Sequence, residues 1–142
     1  MIEVIPQIPR SSFTPAHVRA ALNWFIQTSQ PGKWDLSIDE QVDLLGGIKK
    51  STYSRWKHKL DSGEEFMISR DTLERLSLLL GIYKGLKMIA PSSPDSVAYD
   101  WFKTPNQSPM FCGQSLKEYI LTTGTVTSLY NTQCYVESLL HH

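Results

Sequence analysis

Apolar positions recur along most of this chain at spacings of three and four residues, the period of an amphipathic helix. Thr14-Pro15 reads as a helix start, with Thr as N-cap and Pro in the first turn. Val18, Leu22, Phe25 and Ile26 follow at helical spacing, and Pro31-Gly32 predicts the stop. Ser37 with Glu40 three residues later has the form of a capping box, opening a short helix through Ile38, Val42 and Leu45. Gly46-Gly47 predicts a tight turn, and a second short helix spans about Lys49 to Leu60.

Ser69 to Thr72 opens a longer helix with a wide stripe of Leu73, Leu76, Leu79, Leu80, Tyr83 and Leu86. Gly81 within it reads either as an interruption or as a place where another helix comes close. Pro91-Ser92-Ser93-Pro94 is the clearest linker. Beyond it the pattern predicts a short helix from Asp95 bearing Val97, Trp101 and Phe102, with Trp101 read as core. A loop follows over Thr104 to Pro109. Ser115 and Glu118 form another capping box, for a helix carrying Leu116, Tyr119 and Ile120. After Gly124 a last helix carries Val126, Leu129, Tyr130, Tyr135 and Val136. No hairpin signal is present, so the expectation is an all-α chain of roughly seven helices, with an extended, proline-bearing arm over residues 1–12.

Composition narrows the classes. A hydrophobic fraction of 41% with 20% charged residues is that of a globular chain rather than a disordered one. No apolar run approaches the ~20 residues that cross a bilayer, and Met1 to Pro6 lacks the basic and apolar regions of a secretory signal. Cys112 and Cys134 match neither a redox nor a zinc spacing and read as small buried hydrophobes, so a cytoplasmic protein is expected. Formal net charge is zero, which removes any global basic field.

Local charge is another matter. Lys49 to Leu60 holds five Lys/Arg and no acid, directly after Asp35, Asp39, Glu40 and Asp43. Two short helices joined by a glycine turn are the form of a helix-turn-helix. Val42, Leu45, Tyr53, Trp56 and Leu60 would face the core, with Ile48 plugging the turn. That leaves Lys49, Lys50, Ser51, Ser54, Arg55 and His58 outward, a set suited to a major groove. Arg55 matches guanine edges, and the lysines, Lys57 and Lys59 included, suit phosphates. The plain alternative is a solvated helix face. Asp43 counts mildly against DNA, because a small residue is more usual at what is read as an inward-leaning position.

The run Gln41 to Trp56 resembles the helix-turn-helix of Xre-type antitoxins, and Ser69 to Tyr83 resembles the helix that follows it there. Trp101, Pro105-Asn106, Phe111 to Ser115 and the closing helix resemble the toxin-binding domain of the Xre/MbcA/ParS antitoxins. The similarity runs in order over residues ~15–140. It implies a protein without catalysis or cofactor that covers the active site of a RES-type, NAD-consuming toxin and represses its own operon. The partners implied are a cognate toxin, operator DNA and a second copy of the chain in a homodimer or larger assembly, with no membrane. The expected division is an arm, itself outside the resemblance, and a helix-turn-helix part over residues 1–90, then a toxin-binding part over 91–142, with Asn106, Phe111, Gly113, Ser115, Tyr119 and Tyr135 implied by the resemblance as toxin-binding residues. One departure is Leu116, where the family often has proline after the capping serine.

The alternative from another class is a helix-turn-helix transcriptional regulator with a sensing or dimerising C-terminal part. A helical protein-binding scaffold is a further one. Enzyme readings lack support: His17 and His58 form no metal motif, no phosphate-binding Gly-rich loop is present, and neither cysteine sits in a nucleophile motif.

Overall fold

The computed structural model describes residues 14–141; the arm expected over residues 1–12 lies outside them. The described residues form seven α-helices: α1 Pro15–Thr28, α2 Ile38–Leu44, α3 Lys50–Ser62, α4 Arg70–Ile89, α5 Asp95–Lys103, α6 Leu116–Thr123 and α7 Val126–Ser138. Short 3-10 turns occupy Pro109–Phe111 and Leu139–His141. Among the described residues no strand occurs, only a single bridge between Pro105 and Ser115, so the fold class is all-α.

Local chemistry accounts for the helix starts. Thr14 Oγ1 accepts from the His17 amide at 3.2 Å, with Pro15 in the first turn. The capping boxes at Ser37/Glu40 and Ser115/Glu118 both close, with contacts of 2.9–3.1 Å. Each satisfies donors that a bare helix end leaves open, worth ~1 kcal/mol. With Leu116 rather than proline in its first position, α6 still starts at a closed cap.

The arrangement centres on α4, against which α1, α5 and α7 all pack. Gly81 does not interrupt α4; it lets α7 come close. A Cβ at Gly81 would stand 2.6 Å from Gln133 Oε1, and one at Gly85 would stand 2.6 Å from Val136 Cγ1. Leu78, Leu79, Ile82 and Leu86 of α4 are buried in a core that runs without a break from Val18 and Leu22 to Ile120 and Val136. The expected boundary at residues 90/91 falls just after α4, but the chain on its two sides shares this core.

The connection between α1 and α2 does more than link them. Trp34 is fully buried, and its ring stacks on Phe102 of α5 at 4.0 Å between centroids and 15° between planes. Trp24 meets Trp34 edge-on at 5.7 Å. Phe102, not Trp101, is thus the core aromatic of α5, and Trp101 is half-buried. Cys112 is exposed, with φ of 51°, and Cys134 is half-buried, which corrects the reading of the pair as buried hydrophobes.

Asp35 also has a left-handed backbone, with φ of 51°. Its carboxylate takes Lys103 Nζ at 2.5 Å and the Gly32 amide at 2.7 Å, and its carbonyl takes Lys117 Nζ at 2.8 Å. Lys103, then the Gly32 amide, holds the Asp35 carboxyl below its ordinary pKa. The folded chain therefore keeps this charge to lower pH than the unfolded chain does. The resulting stability is present above the ordinary carboxylate value and is lost as pH falls through the depressed one. Exposure of the pair keeps the effect small. Asp35→Asn tolerates the left-handed backbone and is expected to flatten the fall in Tm between about pH 5 and about pH 2; an unchanged profile would assign the acid sensitivity to other carboxylates.

Candidate functional site

The α2–α3 unit is anchored from several sides. Tyr53 is buried, and its hydroxyl donates to Gln41 Oε1 at 2.7 Å; the Gln41 amide in turn donates to the Leu36 carbonyl at 2.9 Å. Burial pushes the Tyr53 phenol well above its ordinary pKa, so it stays a neutral donor. Thr72 Oγ1 donates to the Leu45 carbonyl at 2.7 Å, tying α4 to the end of α2. Gly46 sits in that turn with φ of 109°, and a Cβ there would lie 2.6 Å from Asp71 Oδ2. At the other end the Arg19 guanidinium donates to the Leu60 and Glu64 carbonyls, fixing the end of α3 against α1.

With Tyr53 and Trp56 buried, the opposite face of α3 is open. Lys49, Lys50, Ser51, Ser54, Arg55 and His58 are all exposed. The structure brings the six together on α3 and the residue before it. Lys50 pairs with Asp39 at 2.6 Å, but both side chains are more than 60% exposed, so this pair contributes under ~1 kcal/mol and yields easily to another anion. Lys57 lies over the Tyr53 ring at 4.7 Å. Asp43 is exposed, which corrects its reading as inward-leaning; Gln41, Val42, Leu44 and Leu45 are the buried residues around it.

A second feature lies in the C-terminal part. A cleft of about 700 Å³ opens between α5, the 104–108 loop and Tyr135 of α7. Asn106 is buried at its base. Its Oδ1 accepts from the Ser108 amide at 2.7 Å, an Asx turn, and its Nδ2 donates to the Tyr135 hydroxyl at 3.2 Å. Tyr135 in turn meets Phe111 in a T-shaped contact, with centroids 4.9 Å apart and 72° between planes.

The six residues assigned to toxin binding do not form one surface. Asn106 and Tyr135 line the cleft. Phe111 and Ser115 are buried: Phe111 packs between Tyr119 and Tyr135, and Ser115 caps α6. Gly113 is exposed with φ of 83°, and Tyr119 is half-buried. Phe111 and Ser115 thus shape the region from beneath rather than face a partner. Sequence reasoning missed Val97, Asp100 and Thr104 as a surface with Trp101. The signal was present: these positions repeat at three and four residues, opposite the buried Ala98 and Phe102.

Among the described residues no three His, Cys, Asp or Glu side chains stand close enough to hold a metal, and no helix is long and apolar enough to cross a membrane.

No family model and no solved structure matches the chain. The uncharacterized protein y4oB of Sinorhizobium fredii is 32% identical over 123 residues, covering 87% of this chain and 86% of that protein. A stretch of that length necessarily includes α2, α3 and α5. With identity and coverage of this extent, the chain belongs to the family of y4oB.

Proposed function

We propose that the protein is an antitoxin of the Xre/MbcA/ParS kind, which binds operator DNA through α3 and a toxin enzyme through its C-terminal part. The observation that carries the reading is the outward face of α3. Lys49, Lys50, Ser51, Ser54, Arg55 and His58 are exposed together, on a helix whose other face is locked by Tyr53 and Trp56. In a chain of zero net charge, such a polarised and rigid face suits phosphates and base edges. The preceding turn and the fixed ends of α3 favour a helix-turn-helix acting as a unit. On this reading the protein works in the cytoplasm as a homodimer or a larger toxin–antitoxin assembly, catalyses nothing and needs no cofactor.

Two experiments test it. Co-expression with the adjacent open reading frame is expected to rescue growth and NAD level, and to yield a complex on pull-down. No toxicity, no rescue and no complex would sink the antitoxin reading. In a DNA-shift assay at stated salt, the wild type is expected to bind its own upstream region. Arg55→Ala is expected to cost about 1–3 kcal/mol, or roughly 5–150-fold in affinity, and to relax sequence preference. Lys49→Ala is expected to weaken all sequences alike and to lower the salt slope by about one.

The volume of the cleft favours a second reading, a helix-turn-helix regulator whose C-terminal part senses a small molecule, because about 700 Å³ falls within the range of small-ligand sites. Absence of a toxin frame, together with retained DNA binding, would select it.

A further inference from the structure

From the chemistry of the cleft, we infer that it receives an arginine side chain of the partner protein, held by the Asp100 carboxylate and the Trp101 ring. This rests on the reading of the C-terminal part as a protein-binding surface. Helix α5 turns one face, Val97, Asp100 and Trp101, toward the cleft, while Ala98 and Phe102 on the other face fill the core. Val97 and Asp100 are exposed, and Trp101 is half-buried, packing partly against the core while it lines the cleft.

The charge is one-sided. Among the described residues Asp100 is the only charged one lining the cleft, and no Lys, Arg or His among them lines it. Asp100 is exposed, and none of the ion pairs among the described residues uses it, whereas Asp35, Asp39, Asp71 and Asp95 each hold a cation. The floor, Asn106 with Tyr135, spends its polar groups on itself and on the Ser108 amide, so it is pre-shaped. The rest of the lining is the Asp100 carboxylate, the Trp101 indole, apolar Val97 and Pro105, and the neutral polar Thr104, Gln107 and Ser108.

A guanidinium fits this set better than other groups. Its planar fork pairs with a carboxylate through two hydrogen bonds. Its flat face and apolar stem pack on an indole. An ammonium offers a point charge without the plane, and a phosphate or an acidic segment would meet Asp100 with repulsion. The same carboxylate sets the cleft apart from the basic face of α3.

The test begins with the full-length chain and no toxin. The Trp101 indole NMR signal, assigned with Trp101→Phe, is followed while Nα-acetyl-arginine amide is added. A saturable shift is expected, with at least tenfold weaker binding in Asp100→Asn and for the citrulline analogue, which keeps the shape but not the charge. No saturable shift up to about 100 mM, far above the millimolar range for one ion pair and one stacked ring, overturns the inference. So does an equal response to citrulline.

The second arm uses the complex. Asp100→Arg, at an exposed position, is expected to abolish pull-down and rescue while the helical circular-dichroism signal is kept; full rescue by this variant would also overturn the inference. Arginine binding without rescue by the wild type would strike the toxin reading alone and leave the guanidinium site standing.

Discussion

Phe102→Ala is expected to lower the unfolding free energy by about 3–5 kcal/mol, the range for emptying a fully buried aromatic site. The ring is 0% exposed and stacked on Trp34, which is itself 0% exposed. Nothing nearby can collapse easily into the gap, because Trp34 is held by Trp24 and by its own amide, which donates to the Thr28 carbonyl at 2.9 Å. Helix α5 has nine residues, too few to persist on its own, and buries only Ala98 and Phe102. This ring is its main buried anchor, beside the Lys103–Asp35 pair and the half-buried Tyr99 and Trp101. Against a total stability of ~5–15 kcal/mol, the loss is a large share. Urea denaturation followed by tryptophan fluorescence measures it. A single transition, shifted as a whole, is expected, because the core is continuous across residues 90/91. Two transitions, with only one displaced, would overturn the view that both parts fold on one core.

Gly85→Leu tests the seam between α4 and α7, and here two effects oppose each other. Leucine is better than glycine inside a helix by nearly 1 kcal/mol. The space is already taken, however: even a Cβ would stand 2.6 Å from Val136 Cγ1, and Val136 is fully buried and β-branched, so it cannot swing aside. Forcing a whole side chain into the seam costs at the upper end of the overpacking range, about 3 kcal/mol or more, so the net change is destabilising. Gly85→Ala is expected to lie between wild type and leucine. Thermal and urea unfolding check the order. Stabilisation by leucine would mean that α4 and α7 do not approach as closely as described. Gly81→Ala is expected to be milder, because the atoms in its way belong to the flexible end of Gln133.

Helix starts are legible from the chain because they are local. Thr14, Ser37, Ser69, Ser115 and Thr125 each accept from an amide three residues on, an interaction that needs no distant partner. The inward and outward faces of α3 were legible for the same reason: the spacing of Tyr53 and Trp56 sets which residues are left outside. Trp101 shows where this logic stops. Trp101 and Phe102 are adjacent aromatics on an amphipathic helix, and the pattern cannot say which of them meets a neighbour. The answer lay in Trp34, whose distance along the chain hides the contact. The same holds for Phe111 and Ser115, which were expected on a binding surface but are buried.

By itself, then, the sequence determined that the chain is all-α, where its helices begin, and that its positive charge gathers on one face of α3, because capping, periodicity and charge order act over a few residues. The tertiary structure alone decided that Gly81 and Gly85 are the seam for α7, that Trp34 joins α1's end to α5, and that Val97, Asp100 and Trp101 face Asn106 and Tyr135 across a cleft. Those are encounters between segments far apart in the chain. Which ones form depends on how all the apolar faces are buried together, and no local pattern carries that information.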